Sequence, residues 1–415
     1  MDHSSSGIRL LHTSDWHLGR ALYGKKRYDE FKAFLDWLAT TVQEKGVHVL
    51  VVAGDVFDTT TPSNRSQELY YRFLCQVAGS TCRHVVVIGG NHDSPSFLDA
   101  PKELLKALEV HVVGKAAESP KDEVLILKAD DGTPEMIVCA VPYLRDRDIR
   151  QVEPGETVQD KELKMAEGIK AHYQAVASQA RSIREEFGIH IPIVGTGHLF
   201  TAGGKTVEGD GVRDLYVGSL AYVNSAVFLD SFDYTALGHL HVPQKVDGSE
   251  VVRYSGSPIP MGFGEAGQRK SLCLVDFNGK DPSVQLVDVP VFQRLERIKG
   301  DLEGILKRIY ELSLSGSKIW LEIVYDGDEV IGDLRDRLEN ALSDGMEILR
   351  LKDSRVFRQA LGMEFEGESL EDLGEDDVFR RLLSSRGVPE DQWQELTETY
   401  GEIVSYLFEQ DTKAE

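Results

Sequence analysis

Short apolar runs, each ending in a polar cluster, recur along the first two thirds of the chain. Residues 8–12 read as a strand that leads into Thr13-Ser14-Asp15. Over 26–45, Phe31, Phe34, Leu35, Leu38 and Val42 fall at helical spacing, and Gly46 stands where a helix ends. Residues 47–53 are a valine-rich run without polar interruption, the pattern of a strand buried on both faces. Thr61-Pro62 is expected to open a second helix, with Pro62 at its first position. Leu69, Tyr70, Phe73, Leu74 and Val77 give that helix an apolar face, and Gly79 closes it. A strand over 85–88 ends in Gly89-Gly90, and further strands are predicted over 136–141, 191–195, 234–237 and 251–254. The charged segment 160–187 between two of them is helical in pattern. Strands alternating with helices predict an α/β sheet, with the later strands building a second layer.

Beyond about residue 291 the pattern becomes strand–helix–strand–helix–strand over 292–298, 301–312, 318–325, 332–342 and 346–352. This predicts three parts: a large domain over 1–290, a small α+β capping module over 291–356, and an acidic linker with C-terminal helices over 357–415. In the last part, Phe379, Leu382, Leu383, Trp393, Leu396, Tyr400, Ile403, Val404 and Leu407 recur near helical spacing on two helices parted by Gly387-Val388-Pro389. Such a stripe either covers the domain's own core or docks on a partner.

Five polar clusters sit where the predicted strands end: Asp15-Trp16-His17, Gly54-Asp55-Val56-Phe57-Asp58, Gly90-Asn91-His92-Asp93, Gly197-His198 and Gly238-His239-Leu240-His241. Ligands of open α/β sheets bind outside the carboxyl ends of the strands, so these clusters can converge. The pairs Asp15/His17 and His239/His241 are two apart, which in extended chain points both side chains to one face. Carboxylate, amide and imidazole donors without a thiolate suit manganese, iron or zinc better than magnesium or calcium alone. One such cluster alone is more often a turn or a strand end; five in sequence are not explained by turn chemistry.

This ordered set resembles the calcineurin-like metallophosphoesterases. The wording of His12-Thr13-Ser14-Asp15-Trp16-His17-Leu18-Gly19, Ala53-Gly54-Asp55-Val56-Phe57-Asp58, Gly90-Asn91-His92-Asp93-Ser94, Val141-Pro142-Tyr143-Leu144-Arg145 and Gly238-His239-Leu240-His241 is similar to the bacterial SbcD-type nuclease family, whose members partner an SbcC-type ATPase. The resemblance implies a two-sheet sandwich flanked by helices and two divalent ions, most simply manganese. Asp15, His17, Asp55 and His241 would hold one ion, and Asp55, Asn91, His198 and His239 the other, with Asp55 bridging. His92 would stabilise the transition state or protonate the leaving sugar oxygen, and Asp93 would orient it. Asp58 stands where archaeal and eukaryotic relatives carry a histidine, so it is given a structural hydrogen-bonding role. The resemblance further implies hairpin cleavage, 3′-to-5′ degradation of duplex ends with the ATPase, endonucleolytic cutting of single strands, and a homodimer within a heterotetramer, paired through the helix near 61–77. These activities would serve repair, recombination and replication.

Composition adjusts this picture. Hydrophobic content of 41% and charged content of 28% are those of a globular protein, and no apolar run is long enough to span a bilayer. The polar first residues and the scattered Cys75, Cys82, Cys139 and Cys273 make a cytoplasmic chain with reduced thiols the expectation. A net charge of −23 opposes DNA binding through the bulk field, since phosphate contact needs lysine and arginine. Bound cations and a basic partner subunit would answer that. Locally, Arg20, Lys25, Lys26 and Arg27, and with them Arg145, Arg147 and Arg150, are candidates for backbone-phosphate contact or for ordinary solvated faces. Gly204-Lys205-Thr206 looks like the end of a P-loop, but Leu199 occupies the position of its first glycine, so no ATP site is expected in this chain. The alternatives are a phosphodiesterase or phosphatase of the same superfamily acting on small or protein substrates, and a silent DNA-end scaffold.

Overall fold

The computed structural model describes residues 7–149, 156–188, 190–201, 225–229, 231–314, most of 316–353, and scattered positions between 379 and 401. The chain begins with β1 (Ile8–Thr13), a short ribbon of β2 (Ala21–Leu22) and β3 (Lys25–Lys26), then α1 (Tyr28–Glu44), β4 (Val49–Ala53), α2 (Asn64–Ala78) and β5 (His84–Ile88). Two short helices, α3 (Pro95–Asp99) and α4 (Lys102–Lys106), lead to β6 (Val110–Val113). Next come β7 (Val124–Lys128), β8 (Pro134–Cys139), α5 (Asp146–Ile149), the long α6 (Val158–Phe187) and β9 (Ile193–His198). α7 (Ala226–Leu229), β10 (Tyr234–Gly238), β11 (Gln244–Lys245) and β12 (Val252–Tyr254) follow, and then the hairpin of β13 (Ser271–Asn278) and β14 (Asp281–Asp288). The last described elements are β15 (Arg294–Gly300), α8 (Leu302–Ser313), β16 (Ile319–Tyr325), α9 (Leu334–Asn340) and β17 (Met346–Asp353).

Two six-stranded sheets, ordered β14-β13-β1-β4-β5-β6 and β11-β12-β10-β9-β8-β7, pack face to face. Alternation along each strand makes this possible. Leu10, Val49, Val51, Val86 and Ile88 face inward against Met136, Val138, Val194 and Ala236 of the other sheet. Leu11, Leu50, Val52, Val85 and Val87 face outward, under Phe31, Phe34 and Leu38 of α1 and Phe73 and Leu74 of α2. The second sheet is covered on its outer side by Ile169, Tyr173 and Val176 of α6. The result is a helix–sheet–sheet–helix α/β sandwich. Its parallel strands β1, β4, β5, β9 and β10 all release their carboxyl ends toward one edge, where the polar clusters lie.

A third sheet, β15-β16-β17, is wholly parallel and covered by α8 and α9, with Ile305, Ile309, Leu321, Ile323 and Leu338 as its core. It leans on the ribbon β2–β3: Lys25 Nζ lies 2.6 Å from Glu347 Oε2, and Arg350 Nη1 donates to the Tyr23 hydroxyl at 2.7 Å.

The second helix starts at Asn64 rather than at Pro62. Ser63 is its N-cap, and the Ser63 side chain accepts from the Ser66 N–H, a satisfaction of an end donor that proline cannot supply. Strands β6, β7, β13 and β14 are additions to the pattern expected from the sequence. Residues 202–224 and 402–415, which include Gly204-Lys205-Thr206 and the end of the C-terminal stripe, lie outside the described residues, as do Arg150, Leu382 and Gly387.

Candidate metal centre

The turns after β1, β4 and β10 are held in backbone conformations that L-residues rarely adopt. Asp15, His17, Asp55 and His239 all have positive φ, at 54°, 46°, 51° and 102°. Such positions cost about 1–3 kcal/mol each and persist only where surrounding contacts impose them. Here the contacts are explicit. The Asp15 N–H donates to the Gly54 carbonyl at 3.0 Å, and the His17 N–H donates to the Asp55 carbonyl at 2.9 Å. Asp15 Oδ1 accepts from the His239 N–H, and Asp55 Oδ1 accepts from the His92 N–H, both at 2.9 Å. The Asp15 bond stitches the first sheet to the second, and the Asp55 bond joins the turns after β4 and β5, so the carboxylates that line the site also hold its backbone. Two glycines are obligatory for this closeness. A Cβ at Gly90 would stand 2.1 Å from Asp55 Oδ1, and one at Gly238 would stand 1.9 Å from the Ala53 carbonyl oxygen.

All seven expected ligands, Asp15, His17, Asp55, Asn91, His198, His239 and His241, meet at this edge. Asp15, His17 and His241 bring one donor atom each within 4.8 Å of one another, and so do Asp15, Asp55 and His198. Asp55 Oδ2 lies between two imidazoles, 3.6 Å from His17 Nε2 and 3.3 Å from His198 Nε2. His198 donates from Nδ1 to the Ala53 carbonyl at 2.9 Å, which turns Nε2 toward Asn91 Oδ1 at 3.0 Å. His239 Nδ1 approaches the same Asn91 oxygen at 3.2 Å.

The electrostatics favour a cation here. Asp15 and Asp55 are buried, and among the described residues no lysine or arginine pairs with either. Buried charges are ordinarily paired or bound to metal. His17 Nε2 and His241 Nε2 face each other at 3.1 Å, two imidazole nitrogens aimed at one point, and His17 Nδ1 is buried without a hydrogen-bond partner. Burial raises the Asp15 carboxyl. Burial pushes Asp55 the same way, but His198, His92 and His17 outweigh it and hold Asp55 well below the usual range. Burial likewise opposes charging of His198, yet Asp55 and Asp15 keep it up at about 9, whereas burial and His198 hold His239 down to about 3. A mixed oxygen–imidazole pocket with such opposed protonation preferences fits divalent cations, which would replace the shared protons.

His92 is adjacent, its ring edge-on to His17 with centroids 4.7 Å apart, and its Nδ1 donates to the Asp58 carbonyl at 2.9 Å. The orienting role expected of Asp93 is therefore filled by Asp58. The Asp93 carboxylate instead accepts from the N–H groups of Val56, Phe57 and Gly90 at 3.1, 2.9 and 2.9 Å, which locks the turns after β4 and β5 together. Burial and the charge on Asp55 raise Asp93 to about 7 against those three donors. The Asp58 side chain lies 3.3 Å from Arg20 Nη1 and 3.6 Å from His17 Nδ1, in keeping with a structural role.

Several charged candidates are already engaged. Arg27 is buried and forked onto Glu30, at 2.7 and 3.0 Å, so it is no phosphate contact. Lys25 is paired with Glu347. Trp16 is fully buried among Phe34 and Phe73 and belongs to the core. Sequence reasoning missed Glu265, whose Oε1 lies 3.3 Å from His241 Nδ1 and whose other oxygen is held by Lys270, Ser257 Oγ and the Met261 N–H. No local pattern marks Glu265; only the fold brings it behind His241.

Fold and site define a class. The calcineurin-like phosphoesterase family model matches residues 8–243, and the chain belongs to that family. A second model, the type 5 capsule protein repressor C-terminal domain, matches residues 291–386. Within the class, the chain resembles the SbcD subunits of SbcCD nucleases. It is 38% identical to the SbcD subunit of Escherichia coli (strain K12), over 94% of this chain and 96% of that one. It is 35% identical to the Rhodobacter capsulatus protein of the same name over 66% of this chain and 67% of that one. Against its Bacillus subtilis (strain 168) counterpart, identity is 32% over 65% and 66%.

Proposed function

We propose that this chain is the metal-dependent nuclease subunit of an SbcC–SbcD-like complex, a hydrolase of DNA phosphodiesters. The observation that carries this reading is the convergence of two buried carboxylates, an amide and four imidazoles at the carboxyl edge of the sandwich, where among the described residues no lysine or arginine pairs with either carboxylate. Asp15, His17, Asp55 and His241 would hold one divalent ion, and Asp55, Asn91, His198 and His239 a second, with Asp55 shared. When bound, such ions polarise a phosphodiester and lower the pKa of an attacking water. Manganese is the preferred assignment for this oxygen–imidazole set.

The chain's own residues do the rest. The backbone contacts among Asp15, Gly54, Asp55, His92 and His239 hold the ligands before substrate arrives. His92, anchored through Nδ1 on the Asp58 carbonyl, has Nε2 left to steady charge on the phosphorane or to pass a proton to the leaving sugar oxygen. Asp93 fixes the turn that carries it. Glu265 holds His241 in register.

The relatives' names give a nuclease; the substrates proposed here rest on the resemblance of the motifs: duplex ends degraded 3′ to 5′ and hairpins opened with an SbcC-like ATPase, and single strands cut internally. An acidic chain benefits from a partner that grips DNA, and two copies joined through α2 within a heterotetramer would present two centres to one end. The division into a phosphoesterase domain (1–290), a capping module (291–356) and an ATPase-binding tail (357–415) belongs to the same proposal. Assays of the purified chain on bis-p-nitrophenyl phosphate and hairpin DNA, with and without manganese, test it. Manganese-dependent turnover of both is expected; turnover of phosphoprotein or small esters with intact DNA would favour a phosphatase instead. Truncation after about residue 375 should leave manganese-dependent phosphodiesterase activity and abolish complex formation with the ATPase. Co-purification of that truncated chain with the ATPase at normal stoichiometry would refute the tail's role.

A further inference from the structure

The opposite end of the same sheet carries a second cluster that the phosphoesterase reading does not use. His84 is the first residue of β5, and His111 lies on the edge strand β6, which pairs in parallel with β5 so that Val86 stands opposite His111. His84 is two positions before Val86 and so shares its face, diagonal to His111. Glu109 immediately precedes β6. It has a positive φ of 55°, and its carbonyl accepts from the Val85 N–H at 3.0 Å, which presses its side chain toward the two histidines.

His84 Nε2 lies 2.8 Å from the Lys128 carbonyl, which can only accept, so Nε2 donates there and Nδ1 is the nitrogen left for a ligand. Nδ1 is buried without a hydrogen-bond partner, on a side chain only 6% exposed, and lies 3.4 Å from Glu109 Oε2. His111 Nε2 is likewise buried without a hydrogen-bond partner, 3.7 Å from the same oxygen. Two buried imidazole nitrogens therefore converge on one carboxylate oxygen with no hydrogen bond among them. A backbone carbonyl that fixes the imidazole's other nitrogen is the usual support of a metal-bound histidine.

We infer that His84, Glu109 and His111 form a binding site for a zinc-class divalent ion, separate from the phosphoesterase centre. Ligand bonds near 2.0–2.2 Å place tetrahedral donor atoms about 3.3 Å apart, close to two of the three separations seen. All three donor atoms lie within 4.8 Å, and the exposed Glu109 and partly exposed His111 have room to close the remainder. Three protein donors leave one position for water. The ion would tie the edge strand β6 to β5. Through the Lys128 carbonyl it would also tie the first sheet to β7 of the second, far from the carboxyl edge where chemistry occurs.

The test is zinc counting by mass spectrometry on the full chain, loaded with zinc and dialysed. The comparison is between the parent chain and a Glu109→Gln/His111→Gln double variant. The double variant is expected to retain one zinc fewer per chain, with unchanged hydrolysis of bis-p-nitrophenyl phosphate. An Asp55→Ala chain is expected to keep that one zinc, so the result is read independently of the catalytic centre. His111→Gln alone, at a partly exposed position, should weaken zinc retention at least about tenfold. Equal zinc in the parent and in the two variants at His111 overturns the proposal.

Discussion

The phosphoesterase sandwich and the small C-terminal module treat buried charge in opposite ways. In the module, the fully buried Glu322 is met by Arg297 and by Arg350, the latter at 3.2 Å, beside a core that includes Ile305, Ile309, Leu321 and Ile323. At the metal centre of the sandwich, Asp15 and Asp55 are as deeply buried, yet Asp15 is met by the Ser14 hydroxyl and the His239 N–H and Asp55 by His17 and His198, and four residues of that centre bear positive φ. A satisfied ion pair is sufficient to explain the first arrangement as architecture. The second brings strained backbone and strongly perturbed carboxylates and imidazoles together, and groups of that kind concentrate at functional sites.

The largest effect short of removing the ions is expected at His92. His92→Ala should lower kcat by roughly 10²–10⁴-fold while manganese stoichiometry and DNA affinity stay unchanged, the signature of a contact made only in the transition state. Loss of metal in that variant would make His92 a ligand. Glu265→Gln should weaken manganese binding by roughly 10–100-fold through His241, measured by calorimetry. Unchanged affinity would reduce Glu265 to a partner of Lys270. The smallest functional effect belongs to the module: Glu322→Ala should cost about 1–3 kcal/mol of stability in denaturant titration and leave kcat alone. A drop in kcat at full folding would show that the two regions are not separable in this way.

Much of the catalytic edge is legible in the sequence because its donors come in short motifs at strand ends, where spacing and residue type suffice. Asp15, His17 and His239 illustrate this. The strands that sequence reasoning missed lack that contrast. β14 is an edge strand that is largely exposed, so alternation in Asp281–Asp288 is diluted by polar residues on both faces. β6 is four residues long and has a histidine in its middle. Supporting residues were invisible for a different reason. Glu265 reaches His241, and the Asp58 carbonyl reaches His92, through tertiary packing that leaves no mark on local sequence. The start of α2 shows competing signals: Thr61-Pro62 and Ser63 both announce a helix, and the side-chain cap at Ser63 prevails.

The central claim is that buried carboxylates at the sandwich edge, met by imidazoles and not by lysine or arginine among the described residues, would hold two divalent ions through a shared Asp55. Manganese titration calorimetry on the purified chain and its Asp55→Ala variant tests it most directly. Two manganese ions per chain are expected in the parent and loss of both in the variant, with phosphodiesterase activity falling to background. Two ions still bound by Asp55→Ala with unchanged affinity would contradict it.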